Sequence, residues 1–203
     1  MPATAANLAS FNGIKFDEIK QEPDDAVTAY SYFAPSEKIM ADLVEELFVK
    51  NWAHIVVGPC LEGAVFEIRF VQPPEIRISD GYLTVDLGPW HFHLCIGPCK
   101  STSSQELRPV NKIALFERRG KGCGGGRSWG IRMWNGYGEQ MTTVFLPNPR
   151  LTDDMQYLKT PDWSRLGLYY HLREKFLDEA FPENLEFTAN QPLPGIDEPG
   201  REA

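Results

Sequence analysis

The stretch Tyr82–Ile96, YLTVDLGPWHFHLCI, decides how the chain folds. Before Gly88 the apolar residues sit at odd positions (Leu83, Val85, Leu87), with Thr84 and Asp86 between them. After Pro89 they move to even positions (Trp90, Phe92, Leu94, Ile96), leaving His91, His93 and Cys95 on the other side. A period of two is the signature of a half-buried β-strand, and a change of parity across Gly-Pro marks a tight turn or a bulge. Two strands joined by so short a link must run antiparallel, because a parallel crossover needs a helix-length connection.

The same pattern continues on both sides. HIVVG (54–58), AVFEIRFV (64–71) and EIRIS (75–79) precede the stretch; KIALFERR (112–119), WGIRMWN (129–135) and MTTVFLP (141–147) follow it, each bounded by Gly, Pro or Asp clusters. Helical spacing occurs before and after these strands. Ser36 caps SEKIMADLVEELFVKNW, with Ile39, Leu43, Leu47 and Val49 recurring near helical spacing. Near the C-terminus Thr160 is the expected cap, Pro161 the first helical residue and Asp162 a partner for the helix dipole. Leu166, Tyr170, Leu177 and Phe181 then form an apolar face opposite His171, Lys175 and Asp178. The expectation is an α+β fold: an antiparallel meander sheet of about 6–8 strands, with an N-terminal helix and a long C-terminal helix packed on one face. Residues 1–30 read as an N-terminal arm, 31–181 as a single domain, and 182–203 as an acidic, Pro-rich tail.

Composition narrows the function. A formal charge of −8 and 42% hydrophobic residues in 203 describe a globular, acidic protein, which argues against nucleic acid and anionic membrane as partners. The N-terminus lacks the charged and apolar regions of an export signal, so four thiols (Cys60, Cys95, Cys99, Cys123) and a cytoplasmic setting are expected.

His91, His93 and Cys95 share a strand face and can all bind metal. On a straight strand His91 and Cys95 lie roughly 13 Å apart at Cα, too far to share one ion, so a further ligand must come from elsewhere. Glu67 and His54 are the candidates, giving a two-His-one-carboxylate or three-His set suited to Zn or non-haem Fe. The His-x-His strand resembles the zinc strand of α-class carbonic anhydrases and the metal strand of cupins. It does so over a few residues only: the first family implies a further His where this chain has LFER (115–118), and the second a Glu where it has LCIGPC (94–99). No catalytic residue carries over.

RRGKGCGGGRSWG (118–130) lies between strands and ends in no phosphate-loop Lys-Ser/Thr, so it reads as a long hairpin. Two functions follow. The first is a metal-binding hydrolase, lyase or oxygenase centred on His91 and His93. The alternative is a domain without catalysis that binds haem or another aromatic small molecule, or a protein partner.

Overall fold

The computed structural model describes residue 14 and residues 16–22, 25–61, 64–100, 107–120 and 126–180. In chain order the elements are β1 (Glu18–Gln21), β2 (Val27–Phe33), α1 (Glu37–Val44), β3 (Val56–Gly58), β4 (Cys60–Leu61), β5 (Ala64–Val65), β6 (Ile68–Arg69), β7 (Glu75–Ser79), β8 (Tyr82–Asp86), β9 (His91–Cys95), β10 (Val110–Arg119), β11 (Arg127–Asn135), β12 (Gln140–Phe145) and α2 (Gly167–Leu177). A π-type turn extends α1 through Glu45–Lys50.

The fold is α+β, and its main sheet has seven strands in the order β1-β2-β10-β11-β12-β3-β6, every neighbouring pair antiparallel. Meander order holds within β10–β12. The outer positions are filled by β2 on one side and by β3 and β6 on the other. Strands β7, β8 and β9 form a separate three-stranded sheet. Between β6 and β7 the chain passes through Pro73–Pro74, neither of which has an N–H to donate to a ladder.

Reading residues 1–30 as an arm needs correction from Asp17 onward. Glu18–Gln21 pairs with β2 in the register Glu18↔Tyr30 to Gln21↔Val27, and Ile14 and Phe16 are buried. Strand β2 lies between two strands and is covered on both faces. It therefore lacks the apolar–polar alternation that betrays a half-exposed strand. Residues 182–203, expected as a tail, lie outside the described residues, as do Phe181 and the hairpin tip at 121–125.

One face of the main sheet (Ala29, Phe33, Ile113, Leu115, Ile131, Met133, Val144) shares a continuous apolar core with Met40, Leu43 and Leu47, with Leu166, Tyr169 and Leu172, and with Leu83, Val85 and Leu94 of the small sheet. Ser36 caps α1, its Oγ accepting from Ile39 N at 3.2 Å. Asp162, not Thr160, starts the C-terminal helical region: its Oδ1 accepts from Ser164 N at 3.1 Å, opening a 3₁₀ turn at Trp163–Leu166 that leads into α2. Two buried charges tie helices and sheet together. Glu46 binds Lys50, Lys175 and His171, and Arg173 reaches Ser31, Tyr169 and Glu179.

The opposite face of the main sheet carries Tyr30, Ala114 and Phe116, flanked by Tyr32, Trp134 and Phe145. Gly130 makes this face possible. A Cβ there would lie 2.7 Å from the Phe116 ring and 2.3 Å from the Val144 carbonyl, so only glycine lets the ring rest on β11.

A cleft on the open face of the sheet

The parity change at Gly88–Pro89 is a hairpin. Leu87 N donates to Trp90 O at 2.8 Å and Gly88 takes a φ of +84°. Register then pairs Asp86 with His91, Thr84 with His93 and Tyr82 with Cys95 on one face, and Val85 with Phe92 and Leu83 with Leu94 on the core face. His91 and His93 stand side by side with ring centroids 4.8 Å apart. Both are exposed, and Thr84 Oγ1 lies 2.9 Å from His93 Nδ1. Cys95 is buried, and burial, with Cys99 adding to it, pushes its thiol up and keeps it protonated at neutral pH.

The expected metal site is overturned. Among the described residues no group of three or more His, Cys, Asp and Glu side chains is placed to hold an ion. His54 and Glu67, the expected further ligands, instead line a cleft that does not include His91, His93 or Cys95. The neighbouring histidines reflect strand geometry, which sets alternate side chains together on any strand face. The described residues therefore do not support the expected Zn or non-haem Fe site on β9.

The cleft has a volume of about 830 Å³. Its floor is the open face of the main sheet: Arg118 on β10, Ser128 and Arg132 on β11, Thr143 and Phe145 on β12, and Val56 on β3. Register explains the grouping, because Arg118↔Ser128, Arg132↔Thr143 and Phe145↔Val56 are direct cross-strand pairs. One wall is the segment from Val65 to Val71; the other is the loop from Pro147 to Met155. The mouth is apolar: Val65, Val71 and Met155 line it and are all exposed, Val71 at 96%. Solitary exposed apolar residues are ordinary, but a cluster rimming a concave site marks a contact surface.

The loop wall also fixes the one histidine of the cleft. His54 ends the 3₁₀ turn Trp52–His54, and its Nδ1 lies 3.0 Å from Asp153 Oδ2. Asp153 is gripped in turn. Arg165 donates to its Oδ1 at 2.5 Å, and Arg69 donates to its backbone carbonyl at 2.8 Å. Burial raises the Asp153 carboxyl, but hydrogen bonds from Arg165 and His54 outweigh it and hold the group below its ordinary value. An ionised carboxylate can only accept, so His54 Nδ1 is the donor in this contact. Met155 closes the same turn in a left-handed conformation (φ +63°), its N–H donating to Thr152 O at 3.0 Å.

Arg132 crosses the floor with its guanidinium over the Phe116 and Tyr30 rings, pairing with Glu22 and donating to the Tyr30 hydroxyl. Its Nε is buried and lacks a hydrogen-bond partner. The sequence reading missed Arg132, Arg118, Asp153, Arg165 and Met155. A signal was present in GIRMW, where an arginine interrupts an apolar strand.

No helix among the described residues is long and apolar enough to cross a membrane. No curated protein matches the sequence. A structure described as the crystal structure of ChuX superposes with a TM-score of 0.50 at 16% identity, covering 74% of this chain and 78% of that one. That likeness places the two in the same fold. A second, described as the structure of the heme binding protein ChuX, gives 0.49 at 19% identity over 74% and 78%. Protein AGR_C_4470 from Agrobacterium tumefaciens gives 0.46 at 22% over 76% and 73%. Residues 17–178 match the profile of a family described as a family of unknown function, DUF7676. The chain belongs to that family.

Proposed function

We propose that the chain is a haem-binding protein and that the haem sits in the cleft on the open face of the main sheet. The observation that carries the reading is His54, held by Asp153 at the wall of a cavity of about 830 Å³. This size lies within the usual range of about 300–1,000 Å³ for sites that take organic ligands.

The side chains present fit such a group. A histidine whose Nδ1 is tied to a carboxylate directs Nε2 outward as a metal ligand and gains basicity from its partner. Phe70, Phe145, Leu146 and Leu151 supply apolar surface for a macrocycle. Arg69, Arg118, Arg132 and Arg165 line the same space, and guanidinium groups suit the carboxylates at a haem's edge. The unpartnered Nε of Arg132 is a buried donor that a ligand oxygen would satisfy. Bound haem would supply a redox-active iron; His54 would hold it, Phe70, Phe145, Leu146 and Leu151 would pack against the macrocycle, and the arginines would meet its carboxylates. The description of ChuX as a heme binding protein, on a shared fold, supports the same reading.

Titrating the purified protein with hemin and following the Soret band tests it. The expected outcome is a saturable complex of one hemin per chain whose spectrum changes in His54→Ala. A linear, non-saturating response in the unmodified protein would refute the reading.

A further inference from the structure

After Cys95 the chain bends at once. Ile96 and Gly97 N–H groups both donate to Gly81 O, at 2.8 and 3.0 Å, and Lys100 N donates to Asp80 Oδ1 at 2.8 Å. Residues 96–100 therefore wrap around the Asp80–Gly81 turn. Gly81, at φ +76°, permits this approach, since a Cβ there would lie 2.4 Å from Pro98 O and 2.5 Å from Gly97 O. The Cys95 thiol leans forward along the bend, donating to Gly97 O at 3.5 Å. Cys99 follows two residues later and is half-buried. Tyr82 pairs directly with Cys95, and Cys99 is near enough to push the Cys95 thiol further up.

We propose that Cys95 and Cys99 form a reversible disulfide across the Gly97–Pro98 bend, made by exchange with a low-molecular-weight disulfide of the glutathione type. The more accessible Cys99, as thiolate, attacks one sulfur of the small disulfide and expels a thiolate. Cys95 sulfur, losing its proton, then displaces the second thiolate from the mixed disulfide. The protein loses two hydrogens, and one small disulfide becomes two thiols. Wrapping of the chain around Gly81 shortens the span that the bond must bridge, as a disulfide needs its Cα atoms within about 7 Å. This site is independent of the haem reading.

The test is peptide mapping of the full chain after equilibration with mixtures of reduced and oxidised glutathione, with alkylation of remaining thiols. The expected result is a Cys95–Cys99 bond within one peptide, reversed by dithiothreitol. In Cys95→Ala a glutathione mixed disulfide should accumulate at Cys99, whereas it stays transient in the unmodified protein. Because the unmodified protein is mapped directly, a folding defect in the variant leaves the test intact. Glutathione retained on Cys99 in the unmodified protein, a bond from Cys99 to Cys60 or Cys123, or two unchanged thiols under oxidising mixtures would each overturn the proposal.

Discussion

Two sites of this molecule present histidine to solvent in opposite ways. On β9, His91 and His93 are two residues apart, on one face, with rings in contact. At the cleft, His54 stands 13 residues before Glu67 and 99 before its partner Asp153. The crowded pair has a hydroxyl neighbour in Thr84 and an exposed surface around it; the solitary histidine has a clamped carboxylate and a concave wall. Sequence proximity on a strand comes from a repeat of two and says little about convergence. A binding site needs side chains from several elements brought to one point, and of these two places the cleft is the one that has them.

That contrast can be broken or sharpened by experiment. The largest effect is expected for His54→Ala, which should weaken hemin binding by about 100-fold, because on the proposed reading it removes the iron ligand itself and not an outer-shell partner. Absorption titration measures it. Glu46→Gln serves as the opposite control, removing a charge that ties the helices together while leaving the cleft alone. Burial raises the Glu46 carboxyl, but hydrogen bonds from Lys175 and Lys50 outweigh it and lower the group from 4.5 to about 2. A carboxyl with a depressed folded value stabilises the fold above its unfolded value, near 4.5, and that contribution is lost as pH falls toward 2. Chemical denaturation should show Glu46→Gln less stable by about 1.5–3 kcal/mol at neutral pH. Between pH 4.5 and 2 the gap to the unmodified protein should close, with hemin affinity at neutral pH unaltered.

Asp153→Asn tests whether the clamp on His54 matters. A roughly tenfold loss of hemin affinity is expected, the lower end for an outer-shell carboxylate. The smallest effect belongs to the β9 pair. His91→Ala combined with His93→Ala should leave hemin affinity unchanged and shift stability by no more than about 0.5 kcal/mol, as for exposed residues without buried partners. A drop in affinity there comparable to that of His54→Ala would reverse the comparison.

How far the sequence reveals these features depends on local pattern. The hairpin at Leu87–Trp90, the antiparallel class and the Ser36 cap are legible because parity, turn residues and capping chemistry act within a few positions. Strand β2 is not, because a strand covered on both faces has no alternation to detect. The break between the two sheets falls at the connection 70–74, whose prolines mark a non-strand link without saying where the next strand docks. His54 and Glu67 read as metal ligands completing a set with His91 and His93; instead both line the cleft, apart from β9. Asp153, which defines that site, lies in a loop whose approach to His54 depends on β3 pairing with β12. The arginines of the floor share a face through the register of β10, β11 and β12, and register is a tertiary property that no short window contains.

The most direct measurement maps the ligand onto the chain. Isotope-labelled protein would be titrated with gallium protoporphyrin, a diamagnetic analogue of haem, and followed by backbone amide shifts. The account predicts perturbations at Ala53–Val56, along Thr143–Phe145 and through Leu151–Met155, with His91–Cys95 unmoved. Shifts centred on His91–Cys95, with the cleft unmoved, would contradict it.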